Sequence, residues 1–221
     1  MPVPIRMTKI HHACLTIDDG STRLLLDPGQ LGPRPSLDAV TAVLITHRHV
    51  DHLDPELVAE ALRRGIPVWA PGDALGDIGV PDGIEDGGLH EAVPGTTLRI
   101  GSLSVQVAGE RHAELHPALP GPENRAYLID QRLFVTGDEH PLPPGRLTTL
   151  VTPADAPWLR ATDLIRYVRD VRPELVVGVH DGLLNADGLS VARHVIDSLR
   201  DEGATRATML SDGESIDIPR G

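Results

Sequence analysis

Thr46-His47-Arg48-His49-Val50-Asp51-His52 places three imidazoles and a carboxylate within six consecutive residues, directly after the apolar stretch Ala42-Val43-Leu44-Ile45. A short continuous apolar run is the pattern of a strand buried on both faces. The polar residues therefore stand at the mouth of a buried strand, where few structural needs explain them. Neutral imidazole nitrogens and carboxylate oxygens are the ligands that divalent zinc, iron and manganese accept. The pattern HxHxDH predicts a metal site, and a catalytic one.

Outward from this motif the chain reads as strands joined by short turns. On its N-terminal side, Ala13–Ile17 and Arg23–Leu26 flank Asp18-Asp19-Gly20, a hairpin signal, and Leu26-Asp27-Pro28-Gly29 ends a strand in a turn. The buried strand itself is expected over Ala39–Thr46. On its C-terminal side Asp54 can cap a helix that Pro55 opens, with Leu57, Val58, Ala61 and Leu62 at helical spacing and Gly65 as the stop. A short strand near Val68 and a turn-rich stretch through Gly88 follow. Further strands are expected at 98–100, 103–108, 127–130, 133–136 and 175–179, with helices at 158–171 and 190–200. Thr205–Leu210 and Ile216–Ile218 are expected to pair with each other.

One HxHxDH cluster supplies about half of a two-metal site, so other strand ends should carry the rest. His112 follows an apolar strand and a Gly109 turn. Asp138 follows Leu133-Phe134-Val135-Thr136-Gly137, and His180 follows Leu175-Val176-Val177-Gly178-Val179. Loops at strand ends are where a rigid scaffold presents functional groups.

HxHxDH, a later His, an Asp in a Gly-Asp step and a final His after a strand resemble the metallo-β-lactamase superfamily across nearly the whole chain. Lys9-Ile10-His11-His12-Ala13-Cys14-Leu15 together with Leu26-Asp27-Pro28-Gly29 looks like the subgroup near L-ascorbate-6-phosphate lactonase. The resemblance implies a single α/β domain over residues 1–221, an αββα sandwich with pseudo-halves near 1–110 and 111–221 and metals at one edge of the sheets. It implies that His47, His49 and His112 hold one divalent cation, that Asp51, His52 and His180 hold a second, and that Asp138 bridges them. Zinc is the first expectation, with manganese or iron as alternatives. Asp51 and Asp138 would be the catalytic carboxylates, and Asp27 would stand behind a ligand imidazole and fix its tautomer. The activity implied is hydrolysis of a small lactone, ester or phosphodiester by a hydroxide bridging the metals.

Composition narrows the partners. The 221 residues carry a formal charge of −12, which repels phosphate backbones, and aromatic residues make up only 2% of the chain. Nucleic acid is not an expected partner. No stretch approaches the ~20 apolar residues of a membrane helix, and the first six residues hold no apolar core of signal-peptide length. The expectation is a soluble cytoplasmic protein, with a homodimer as the default assembly. Cys14 is the only cysteine and Lys9 the only lysine; the thiol is expected to be a small buried hydrophobe.

The remaining polar residues have plainer expectations. Asp181 reads as a turn former, His116 and His140 as solvated loop histidines, His90 and His194 as surface residues. His11 and His12 close an early strand and are expected to be structural, with one of them lining the cleft as the alternative. Arg48, Arg111 and Arg125 are candidates for an anionic substrate group, against the default of a solvated face. Two other functions compete with hydrolysis: a mononuclear iron enzyme running oxygen or persulfide chemistry on the same fold, and a non-catalytic module stabilised by metal.

Overall fold

The computed structural model describes residues 4–79 and 87–219. Among them are two seven-stranded sheets. The first is built from β1 (Arg6–His11), β2 (Cys14–Asp18), β3 (Arg23–Leu26), β4 (Ala42–Leu44), β5 (Val68–Ala70) and β6 (Leu89–Glu91), with the chain's last strand. The second holds β7 (Thr97–Ile100), β8 (Leu103–Ala108), β9 (Ala126–Ile129), β10 (Leu133–Val135), β11 (Thr149–Pro153), β12 (Leu175–Val179) and β13 (Arg206–Met209). The last strand, β14 (Ser215–Asp217), returns to pair antiparallel with β1. The helices are α1 (Pro55–Arg63), α2 (Gly72–Ile78), α3 (Ala161–Val171) and α4 (Ala186–Ser198).

The layers follow from side-chain alternation along the strands. Leu24, Leu26, Ala42, Leu44, Val151, Leu175 and Val177 face one core shared by the two sheets. Their neighbours Leu25 and Val43 turn outward to meet Leu57, Val58, Ala61 and Leu62 of α1 and Ala74 and Ile78 of α2. On the other sheet Leu128, Phe134, Leu150 and Val176 turn outward to Leu164 and Val168 of α3 and Ala192 and Ile196 of α4. The result is the expected αββα sandwich. No helix among the described residues is long and apolar enough to cross a membrane.

Several local expectations are corrected. β13 and β14 do not pair with each other: β13 runs parallel to β12 and β14 joins β1 in the other sheet. The Asp212-Gly213 turn resembles a hairpin, but it carries the chain between sheets, held by Gly213 N–H donating to Lys9 O at 2.7 Å. The motif strand is shorter than Ala39–Thr46 because Ala39 sits at φ 59°, in a turn. β11 has no counterpart in the sequence expectations; Thr149, Thr152 and Pro153 break its apolar run, yet all five residues are buried. The turn-rich stretch after Val68 contains α2, its residues 80–86 lie outside the described residues, and β6 follows it. α3 starts later than Trp158 because Arg160 is extended, and α4 starts earlier than Ser190, capped by Asn185 accepting from Gly188 N–H.

β3 and β4 run parallel to each other, as do β10, β11 and β12. The carboxyl ends of parallel neighbours share one edge of a sheet, the usual place for a ligand in α/β folds. Asp27, the 46–52 motif, Asp138 and His180 all follow those ends.

Candidate metal centre

The centre is built by pinning one nitrogen of His47, His52, His112 and His180. Asp27, at the end of β3 with φ 46°, accepts from the Thr46 amide at 2.7 Å, from Thr46 Oγ1 at 2.7 Å and from His52 Nδ1 at 2.8 Å. With the Thr46 hydroxyl proton committed to Asp27, Thr46 Oγ1 accepts from His47 Nδ1 at 3.1 Å. His112 Nδ1 donates to Ala113 O and His180 Nδ1 to Asp155 O, each at 2.7 Å. All four rings therefore carry their proton on Nδ1 and turn a bare Nε2 lone pair inward.

Those lone pairs converge. Ligand atoms of His47, His49 and His112 lie within 4.8 Å of one another, as do those of His12, Asp51, His52 and His180, and those of His47, His52 and Asp138. Asp138 faces both clusters, with Oδ2 3.4 Å from His112 Nε2 and 3.3 Å from His180 Nε2, and Oδ1 3.4 Å from His52 Nε2. His47 Nε2, His52 Nε2, His180 Nε2 and Asp138 Oδ1 are buried without a hydrogen-bond partner. A buried polar atom left so costs roughly 1–3 kcal/mol, and four aimed at one another fit positive ions between them. The seven residues expected from the sequence are thus brought together where strand ends of the two sheets meet, and the donor set fits divalent cations.

The electrostatics agree with that fit. Burial pushes His47 well below the usual imidazole range, reinforced by His52, and lowers His49, so both are neutral donors. Burial would raise Asp51 and Asp138, but the His12 N–H and the nearby His180 ring at Asp51, and the His52 ring beside Asp138, hold both carboxyls below their usual range. With no cation between them, the two carboxylates draw a second proton to His180 Nε2 and lift the ring to about 10 against the cost of burial, so positive charge is favoured where this lone pair points. Two ionised carboxylates thus create a place that favours a cation.

Close packing fixes the loops. A Cβ on Gly29 would meet Asp51 O at 1.9 Å, so the turn after β3 must pass under the motif as glycine. Gly137, at φ 61°, is similarly tight against Asn124 Oδ1 at 2.3 Å. Asn124 is fully buried; its Oδ1 accepts from the Asp138 amide at 3.0 Å and its Nδ2 donates to Thr136 O at 2.9 Å. Asn124 and Trp158, whose Nε1 donates to Asp138 Oδ2 at 3.4 Å, are organisers the sequence reasoning missed. Neither stands beside a motif that would have marked it. His12 was also undervalued: it is buried, at φ 52°, with Nε2 3.2 Å from Asp51 Oδ2.

Other expectations change. Asp181 is no simple turn former but is buried, with both oxygens 2.6 Å from Lys9 Nζ. Arg125 is buried rather than solvated, its guanidinium spent on Ala92 O, Glu110 O and Glu123. Arg48 pairs with Asp77 at 3.4 Å on the surface, while Arg111 remains exposed. His90 is half-buried and stacked on Trp69, whereas His194 and His116 are exposed. Cys14 is buried, and burial raises its thiol beyond reactivity.

His140 is half-buried, stacked on Tyr167 with ring centroids 4.6 Å apart, and not a solvated loop residue. Burial lowers it from the usual 6.5 to about 4. The unfolded chain then binds the proton that the folded chain refuses, so stability falls as pH drops from about 6.5 towards 4. The loss should be on the order of 2 kcal/mol. Urea unfolding at pH 7 and pH 4.5 is expected to show a smaller acid loss for His140→Leu than for the unsubstituted protein; equal losses would refute the assignment.

Comparison with known proteins agrees with the geometry. The Beta-lactamase superfamily domain model matches residues 6–180. Protein Rv0786c of Mycobacterium tuberculosis is 30% identical over 195 residues, covering 85% of this chain and 89% of that protein. Igni18, a metallo hydrolase of the archaeon Ignicoccus hospitalis, superposes with a TM-score of 0.68 at 15% identity over 99% of this chain and 100% of its own. CmlA, a diiron β-hydroxylase of Streptomyces venezuelae, does so with a TM-score of 0.67 at 18% identity over 98% of this chain and 55% of its own. With its two-sheet sandwich and a His/Asp cluster at the strand ends, the chain belongs to the β-lactamase superfamily and has the metallo-β-lactamase fold.

Proposed function

We propose that this protein is a metal-dependent hydrolase holding two divalent cations, zinc or manganese, and acting on a small-molecule lactone, ester or phosphodiester. The observation that carries the proposal is the set of four buried, unpartnered ligand atoms, His47 Nε2, His52 Nε2, His180 Nε2 and Asp138 Oδ1, facing one another. His47, His49 and His112 would hold one cation, Asp51, His52 and His180 the other, and Asp138 would touch both. Divalent cations supply the acidity that brings a bound water's pKa towards ~7 and the charge that polarises a carbonyl or phosphoryl oxygen. Asp51, with 19% of its side chain exposed, is the carboxylate placed to accept a hydrogen bond from an incoming water and orient it. A purely structural zinc site needs four ligands; the surplus here argues against a non-catalytic module.

The loops that carry the ligands also carry exposed apolar side chains. Val50 is 63% exposed, Leu115 55%, Leu119 67%, Leu142 75% and Leu183 71%. Val50 lies inside the motif, Leu115 and Leu119 follow His112, Leu142 follows Asp138 and Leu183 follows His180. Such a rim favours a substrate with an apolar substituent. Arg111 is the guanidinium left for an anionic group.

The test starts with elemental analysis of freshly purified protein, followed by assays on lactones, aryl esters of graded chain length and an aryl phosphodiester. About two zinc or manganese ions per chain are expected. For esters, kcat/KM should rise by up to about fourfold per added methylene, from ~0.8 kcal/mol per buried CH2. No metal after soaking, or inactivity on all classes with both cations bound, would overturn the proposal. Bound iron with oxygen uptake would move the assignment to oxidative chemistry, which the likeness to a diiron hydroxylase keeps in view.

A further inference from the structure

His12 reverses the tautomer that the other pinned imidazoles share. His47, His52, His112 and His180 each donate through Nδ1 to an oxygen. In His12 the same atom accepts: the Gly182 backbone N–H donates to His12 Nδ1 at 2.9 Å. A proton on Nδ1, in the neutral ring or the imidazolium, would set donor against donor, so the proton sits on Nε2. Nε2 lies 3.2 Å from Asp51 Oδ2 and donates to it. A nitrogen that carries a proton has no lone pair for a metal.

We infer that His12 is a positioning residue: it holds the Asp51 carboxylate for the second cation and is not itself a ligand, although its ring lies among the ligands. The inference rests on the two-cation assignment above. Asp51 Oδ2 sits between His12 Nε2 and His180 Nε2, the latter at 3.3 Å. The His12 ring is fixed in turn, because His180 N–H donates to His12 O at 3.1 Å and the two rings lie with centroids 4.0 Å apart. A Cβ on Gly182 would stand 2.8 Å from His11 Nε2, 3.0 Å from His12 Cβ and 3.2 Å from His12 Nδ1, so a side chain there crowds both rings. The left-handed backbone at His12 and His180, at φ 52° and 64°, is the strain this arrangement requires.

The test is a zinc titration of metal-stripped protein against a chromophoric chelator, with thermal melts to confirm folding. It compares the unsubstituted protein with His12→Ala, His12→Gln and Gly182→Ala. His12→Ala is expected to keep the stronger site and weaken the second by about 10–100-fold, the usual effect of losing a partner behind a ligand. His12→Gln is expected to recover most of that affinity, because its terminal amide reaches the Nε2 position and donates. Gly182→Ala, which crowds the His11 and His12 rings without changing their chemistry, should weaken the same site. Two unchanged affinities in His12→Ala would overturn the inference. So would a folded His12→Gln that loses the second zinc as fully as His12→Ala, which marks a direct ligand. An unsubstituted protein that takes up fewer than two zinc ions would overturn the two-cation assignment itself, and the role of His12 with it.

Discussion

Asp138→Asn is expected to fold, keep its packing and lose more than ~10³-fold in turnover, beyond the ~10–100-fold of a group that only supports a ligand. The substitution is isosteric, so the amide from Asp138 to Asn124 Oδ1 and the contact with Trp158 Nε1 can persist. What changes is the charge seen by three imidazoles at once, since His52, His112 and His180 all face this carboxylate at 3.3–3.4 Å. Asp138 is 4% exposed, so solvent cannot replace the lost charge. Metal content should fall from both clusters together, unlike any change at His12. Elemental analysis, a thermal melt and a rate measurement on the same sample check the prediction. Turnover within tenfold of the unsubstituted protein would remove Asp138 from the chemistry.

The centre was legible where chemistry is concentrated in sequence and obscure where it is supplied by packing. His47, His49, Asp51 and His52 declare themselves by spacing, and His112, Asp138 and His180 by their place after apolar strands. Asp27 could be assigned its supporting role only through the resemblance to the metallo-β-lactamase superfamily. Asn124 and Trp158 could not, because an isolated amide and an isolated indole acquire meaning only when the 124, 138 and 158 segments meet. His12 was ambiguous because its function depends on a backbone N–H 170 positions away. The same logic holds for the fold. α1 and β12 were readable because cap residues and continuous apolar runs are local signals, whereas β11 has its apolar run broken by threonine and proline. The separation of β13 from β14 is a choice between two sheets that no local pattern encodes.

That crossing between sheets depends on the chain's single lysine. Lys9→Met is expected to destabilise the protein by about 3–5 kcal/mol, the usual result of removing one partner of a buried ion pair. Lys9 is 2% exposed; its ammonium donates to both Asp181 oxygens at 2.6 Å and to Leu210 O at 3.2 Å, with Asp212 Oδ1 3.3 Å away. Methionine can fill the volume but leaves the Asp181 charge buried and the Leu210 carbonyl unpaired. In a chain of this length the loss corresponds to a fall in Tm of roughly 6–20 °C. Lys9→Met combined with Asp181→Leu should recover most of the stability, because removing both charges also removes their desolvation cost. Arg6→Ala, which breaks an ion pair with Asp217 that is more than half exposed on each side, should change little. Melts in the presence of a chelator isolate these effects from metal binding; a Lys9→Met loss below about 1 kcal/mol would show that the pair does not hold the crossing. Position explains why the charge is there. Asp181 directly follows His180, and an uncommitted carboxylate at that point would compete with Asp51 and Asp138 for any cation held there. Lys9 neutralises it and at the same time fixes the turn whose next amide, Gly182 N–H, sets the tautomer of His12.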